Sequence, residues 1–95
     1  MGFPKQEARA FTKANVEAIR PGQMGCYGLF VNRGPWVYVG KGDIRKRLLE
    51  HLNGDNPCIT RNGPTHWVDI VTDDMDAKEK ALILELTPTC NKKVG

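Results

Sequence analysis

The stretch from Gly25 to His51 constrains this chain more than any other. It reads G-C-Y-G-L-F-V, then N-R-G-P, then W-V-Y-V-G-K-G, then D-I-R-K-R-L-L-E-H. Two short apolar runs flank Asn32-Arg33-Gly34-Pro35, whose residue types favour a turn. The pattern predicts an antiparallel hairpin with strands over Cys26–Val31 and Trp36–Lys41. In the second run Trp36, Tyr38 and Gly40 alternate with Val37, Val39 and Lys41, which is the period of a strand.

A loop over 32–35 sets a register in which Val31 faces Trp36, Leu29 faces Tyr38 and Tyr27 faces Gly40. Tyr27 and Tyr38 are then diagonal neighbours on one face, roughly 7–8 Å apart. Such a pair either packs as ordinary strand aromatics or grips one small ligand group. Asp43 reads as the N-cap of a helix beginning at Ile44. At ~100° per residue, Ile44, Leu48 and Leu52 form its apolar stripe. Arg47 and His51 are four apart and stack on the edge of that stripe, away from the solvent side that carries Lys46 and Glu50. An arginine there either presents its fork of donors to a phosphate or lays its stem over apolar surface.

Ninety-five residues make one domain with a modest core. The net charge of +3 permits an anionic partner without requiring one. Basic residues gather around or after the central stretch (Arg33, Lys41, Arg45, Lys46, Arg47, Arg61, Lys92, Lys93), whereas Asp69, Asp73, Asp74 and Asp76 cluster later. Cys26, Cys58 and Cys90 are odd in number and widely spaced, which predicts free thiols in a reducing, cytoplasmic compartment. A zinc site from Cys58, His66 and Cys90 lacks metal-ligand spacing. The first residues lack the apolar core of a signal peptide, and no run approaches the length of a membrane helix.

Before the central stretch, Pro4 to Ile19 is rich in helix formers and is stopped by Arg20-Pro21-Gly22. It is expected to form a helix within an N-terminal extension, 1–24, packed on a domain spanning 25–95. That helix either covers the sheet or carries Lys5, Arg9 and Lys13 toward a nucleic-acid backbone. Beyond the central stretch, Asn53 to Pro64 is turn-rich and reads as loop, with Arg61 a candidate phosphate contact. His66 to Val71 reads as a third strand. Trp67 there is expected in the core rather than against a base, and His66 is expected at the surface.

Asp76 to Leu86 reads as a second strong helix. Glu79 shares a face with Leu82, Ile83 and Leu86, while Glu85 points nearly opposite. A carboxylate on an apolar face needs a cation, a metal or a water-filled cleft. Alternatively, Asp76-x-x-Glu79 is a capping box in which Glu79 bonds the helix start.

Taken together, Gly25-Cys26-Tyr27, Tyr38-Val39-Gly40, Arg47, His51 and the run from Glu79 to Asn91 (E-x-x-L-I-x-x-x-x-P-x-x-N) resemble the GIY-YIG nuclease family, in family order. The resemblance spans Gly25 to Asn91. It departs from the usual pattern at Cys26, a small apolar residue that should pack acceptably. It implies an α+β fold, a central three-stranded antiparallel sheet flanked by helices. It also implies an endonuclease that hydrolyses phosphodiester bonds in DNA with Mg²⁺ or Mn²⁺. By the same resemblance Glu79 holds the metal, Arg47 the scissile phosphate, and Tyr27 and Tyr38 line the site, one of them activating water. His51 transfers a proton or contacts phosphate, Asn91 braces the site, Gly40 keeps the sheet surface open, and Lys41 touches phosphate. Arg45, Lys46 and Arg61 are further candidate nucleic-acid contacts. With no room for a separate DNA-reading domain, specificity is expected from loops, a homodimer or a separate partner. A silent nucleic-acid-binding module of the same fold is the alternative.

Overall fold

The structure, a computed structural model, describes residues 2–91. In chain order the elements are β1 (Arg9–Ala10), α1 (Lys13–Glu17), β2 (Met24–Phe30), β3 (Trp36–Asp43), α2 (Ile44–Leu52), α3 (Pro57–Asn62), β4 (His66–Val71) and α4 (Met75–Leu86). The strands form one antiparallel sheet of four, ordered β1-β4-β2-β3. None of the described helices is long and apolar enough to cross a membrane.

The hairpin forms with the expected pairs Tyr27–Gly40 and Leu29–Tyr38, but Phe30 rather than Val31 faces Trp36. The register shifts between Leu29 and Phe30, a bulge that adds one residue to the second strand. Trp36 therefore leaves the tyrosine face, stacks with Phe3, ring centroids 5.8 Å apart, and meets Phe30 at a tilt, 5.0 Å away.

The sheet buries both faces. Over one lie α1, α2 and α3, and the core there holds Val16, Ile19, Tyr27, Leu29, Val37, Ile44, Leu48, Ile59 and Trp67. Over the other lies α4, whose Leu82 is buried against Cys26 and Val39, with Phe3, Ile70 and Leu86 packed around them. Helix α2 has only nine residues, too few for an isolated helix. The wholly buried Ile44 and Leu48 hold it, at about 1.5–3 kcal/mol each. Asp43 caps it as expected, accepting from the Lys46 amide at 3.1 Å.

Two expectations fail, each through a cap. The expected helix over Pro4–Ile19 shrinks to α1, Lys13–Glu17. Thr12 is an N-cap that accepts from the Asn15 amide, so only five residues are helical. Arg9 and Ala10 instead pair with Trp67 and His66, adding the fourth strand. Arg9 stays exposed but is tied to the sheet. Its guanidinium lies 4.8 Å from the centre of the Trp67 ring and 2.9 Å from Asp69. The expected loop over Asn53–Pro64 contains α3. Asn56 caps its amides, Pro57 opens its first turn, and Gly63 closes it at φ 55°. The same Asn-Pro and Asn-Gly pairs that mark turns also mark the ends of a short helix.

The thiols also differ from expectation. Cys58 and Cys90 form a disulfide with Cα atoms 5.8 Å apart, so only Cys26 is free, and it is buried. Burial, with the Glu79 charge, pushes the Cys26 thiol up to about 11. Trp67 is fully buried, as expected. Lys92 and Lys93 lie outside the described residues.

Candidate active site

The strand pairing puts Tyr27, Gly40, Leu29 and Tyr38 on one face of the sheet. The Tyr27 and Tyr38 rings lie 6.4 Å apart. A Cβ at residue 40 would stand 2.3 Å from the Tyr27 hydroxyl and 2.9 Å from Tyr38 Cε2. Glycine is therefore required for the two rings to lie over this strand. The residue leaves space that the tyrosines themselves fill, rather than space open to a ligand.

Arg47 and His51 come down onto these rings from α2. His51 is buried at 4% exposure, its ring centroid 5.7 Å from Tyr27 and 5.2 Å from Tyr38. Its Nε2 is 2.8 Å from the Tyr27 hydroxyl, and its Nδ1 is 2.8 Å from Asp55 Oδ1. Burial holds the imidazole below its ordinary range, against the opposing pull of Asp55. Arg47 donates to Glu50 at 2.5 Å and interacts with both tyrosine hydroxyls. Burial raises both phenols, and the guanidinium opposes that rise. The two tyrosines differ in access: Tyr27 is wholly buried, whereas Tyr38 is partly open to water.

Glu79 approaches from α4. Its side chain is 22% exposed and lies 3.6 Å from Lys41 Nζ. Its charge reaches Tyr38 and raises that phenol further. The capping-box alternative does not form. The helix begins at Met75, Asp74 is its N-cap position, and no side chain caps it. Lys41 also donates to Asp76. Among the described residues, no three His, Cys, Asp or Glu side chains are grouped to hold a metal. A single half-buried carboxylate suits a hard divalent cation that keeps waters and takes substrate oxygens; it does not suit zinc.

Asn91 lies on the outer edge of β3. Its amide accepts from the Val39 N–H at 2.7 Å and donates to the Val39 carbonyl at 2.9 Å. With Thr89 and Cys90 bonded to Trp36 and Val37, it supplies the pairing that an edge strand otherwise lacks.

Other candidates lie apart from this cluster. Arg45 reaches the Glu17 carbonyl at 3.4 Å. Lys46 is exposed on the same helix, and Arg61 is exposed in the last turn of α3. His66 stacks on Phe30 at 5.9 Å, next to the hairpin loop. Sequence reasoning missed Asp55, which read as a turn residue, and misplaced Glu50 as purely solvated. The spacing signals were present: Asp55 is four residues after His51, and Glu50 is three after Arg47.

The sequence matches no family model and no curated protein. The structure does match a solved one: a point mutant of the GIY-YIG N-terminal endonuclease domain of UvrC from Thermotoga maritima, bound to its catalytic divalent cation. The TM-score is 0.70 at 25% identity, over 85% of this chain and 96% of that one. The fold is that of a GIY-YIG endonuclease domain. It differs from the expected GIY-YIG sheet in having four strands rather than three, because the N-terminal segment supplies β1. The two triplets that resemble the GIY-YIG signature, Gly25-Cys26-Tyr27 and Tyr38-Val39-Gly40, lie in the paired strands β2 and β3 and meet at Tyr27–Gly40.

Proposed function

We propose that this chain is a divalent-metal-dependent endonuclease that hydrolyses phosphodiester bonds in DNA. The observation that carries this reading is the convergence of a guanidinium, two tyrosine hydroxyls and an imidazole on one sheet face, with Glu79, on the helix over the other face, near enough for its charge to act on Tyr38. The solved neighbour, an endonuclease domain holding a divalent cation, supports it.

Glu79 would hold Mg²⁺ or Mn²⁺. A bound ion polarises phosphate oxygens and stabilises a leaving oxygen. The remaining work falls to side chains. Arg47 offers parallel N–H donors to the phosphate, where negative charge grows in the transition state. It exchanges part of its bond to Glu50 for that contact. Tyr38, the phenol with access to water, positions the nucleophile. Tyr27 has no such access and supports Arg47 from below. His51, kept neutral by burial, accepts from Tyr27. Lys41 neutralises charge on the Glu79 side.

The test is cleavage of plasmid and branched DNA with Mg²⁺, Mn²⁺ or EDTA, comparing wild type with Glu79→Ala. Metal-dependent nicking lost in the variant is expected. One observation favours a silent binding module instead: Glu79 already has a cation, Lys41, 3.6 Å away. Tight DNA binding with no cleavage in any metal would establish that second reading.

A further inference from the structure

Resting on the nuclease reading, we propose that Asp55 is a positioning residue for the reaction. By accepting the Nδ1 proton of His51, it turns the Nε2 lone pair toward Tyr27, makes the Tyr27 hydroxyl a donor, and keeps its oxygen free to accept from Arg47.

The direction of each bond follows from what the groups can do. An ionised carboxylate only accepts, and a neutral imidazole carries one N–H and one lone pair. With Asp55 Oδ1 at 2.8 Å from Nδ1, the proton belongs on Nδ1. Nε2, 2.8 Å from the Tyr27 oxygen, is then the acceptor. A guanidinium only donates, so where Arg47 acts on the Tyr27 hydroxyl the oxygen can only accept, while its own proton points to His51. The row Asp55, His51, Tyr27, Arg47 is consistent in one sense only. A second proton on His51 would place donors on both sides of the Tyr27 oxygen and displace its hydrogen.

The backbone holds Asp55 in place, although α2 ends at Leu52. Gly54 turns the chain at φ 82°, and the Asp55 amide returns to the Glu50 carbonyl at 3.2 Å. The charged or titratable groups facing His51 are Tyr27 from β2, Tyr38 from β3, Arg47 and Glu50 from α2, and Asp55 itself. Arg47 and burial lower its proton affinity, whereas Asp55 and Glu50 raise it.

The experiment combines ¹⁵N NMR of the imidazole with pH–rate profiles of wild type, Asp55→Ala, Asp55→Asn and Asp55→Glu. Expected are a neutral Nδ1–H tautomer in wild type and a shift toward Nε2–H in Asp55→Ala. The rate constant of Asp55→Ala should fall about 10-fold with little change in KM. Its acid limb should move to lower pH, because a group that raises the imidazole has gone. Asp55→Glu, which keeps a carboxylate, should recover part of the rate. An Nε2–H tautomer in wild type overturns the proposal. So does an Asp55→Ala or Asp55→Asn enzyme with the wild-type rate and acid limb. A wild-type chain that cleaves nothing overturns the nuclease reading and the inference with it. Normal wild-type cleavage with an indifferent Asp55 overturns the inference alone.

Discussion

The two faces of the sheet treat their polar groups in opposite ways. Under α2, Tyr27, His51, Asp55, Arg47 and Glu50 satisfy one another. Among the described residues, no buried side-chain polar atom lacks a partner. Under α4, the core is small and apolar, and its acid sits at the margin, where Glu79 meets Lys41 at 3.6 Å and Asp76 is almost wholly in water. The buried members of this network, Tyr27 and His51, must be paired because unpaired groups there are costly, whereas Asp55, Arg47 and Glu50 are each more than a third exposed. Glu79, 22% exposed, is held among the described residues by the single cation Lys41, a pairing that a bound metal would replace on the proposed reading. The first face is thus paired within itself, whereas on the proposed reading the second is completed by a metal and its substrate.

That contrast predicts which changes damage chemistry and which damage the fold. The largest effect is expected from Glu79→Ala and Arg47→Ala, each lowering cleavage by about 100- to 1000-fold. Glu79→Ala should leave the melting temperature nearly unchanged, as a marginal group should; plasmid nicking and thermal melts on the same samples check both. Loss of the fold in Glu79→Ala would erase the distinction between the faces.

Gly40→Ala strikes the organised face itself. Its Cβ would meet the Tyr27 hydroxyl at 2.3 Å, and overpacking of this kind costs about 1–3 kcal/mol. Denaturant melts should register that cost, and activity should fall because both tyrosines move.

A pH series probes the same face through His51. Its folded pKa lies below the ordinary imidazole value, so the unfolded chain binds more protons in that range. Stability should be full above about pH 6.5 and should decline as pH falls from there through the folded value. His51→Gln should flatten that slope in urea melts taken at successive pH values.

The smallest effect is expected from Glu50→Ala. The Arg47–Glu50 pair is more than a third exposed on both sides, so its loss should cost under about 1 kcal/mol. It should change KM for DNA more than the rate constant.

Much of the first face was legible in the sequence. The alternation across Trp36–Lys41, the Asp43 cap and the four-residue step from Arg47 to His51 depend on neighbours in the chain. The Tyr27–Gly40 and Leu29–Tyr38 pairs followed from them. Trp36 was placed on the wrong face because a bulge depends on how two strands coil together. The N-terminal residues misled for a related reason. Helix formers dominate Pro4–Ile19, but a strand partner at His66–Trp67 outweighs their weak propensity.

By itself, then, the sequence determined the hairpin, the capped helix above it, the acid helix that closes the domain, and the residue types able to meet a phosphodiester. Each of those follows from local periodicity or capping, which act over a few residues. The tertiary structure alone decided that Arg9 covers Trp67, that Cys58 bonds Cys90, that Asn91 pairs the outer edge of β3, and that Asp55 completes the row through His51 to Tyr27. Three of those contacts join residues far apart in the chain, and the Asp55 contact lies beyond the end of its helix. In each case the turns and packing that create the contact, rather than the residues' own preferences, supply the distance and direction that make it a bond.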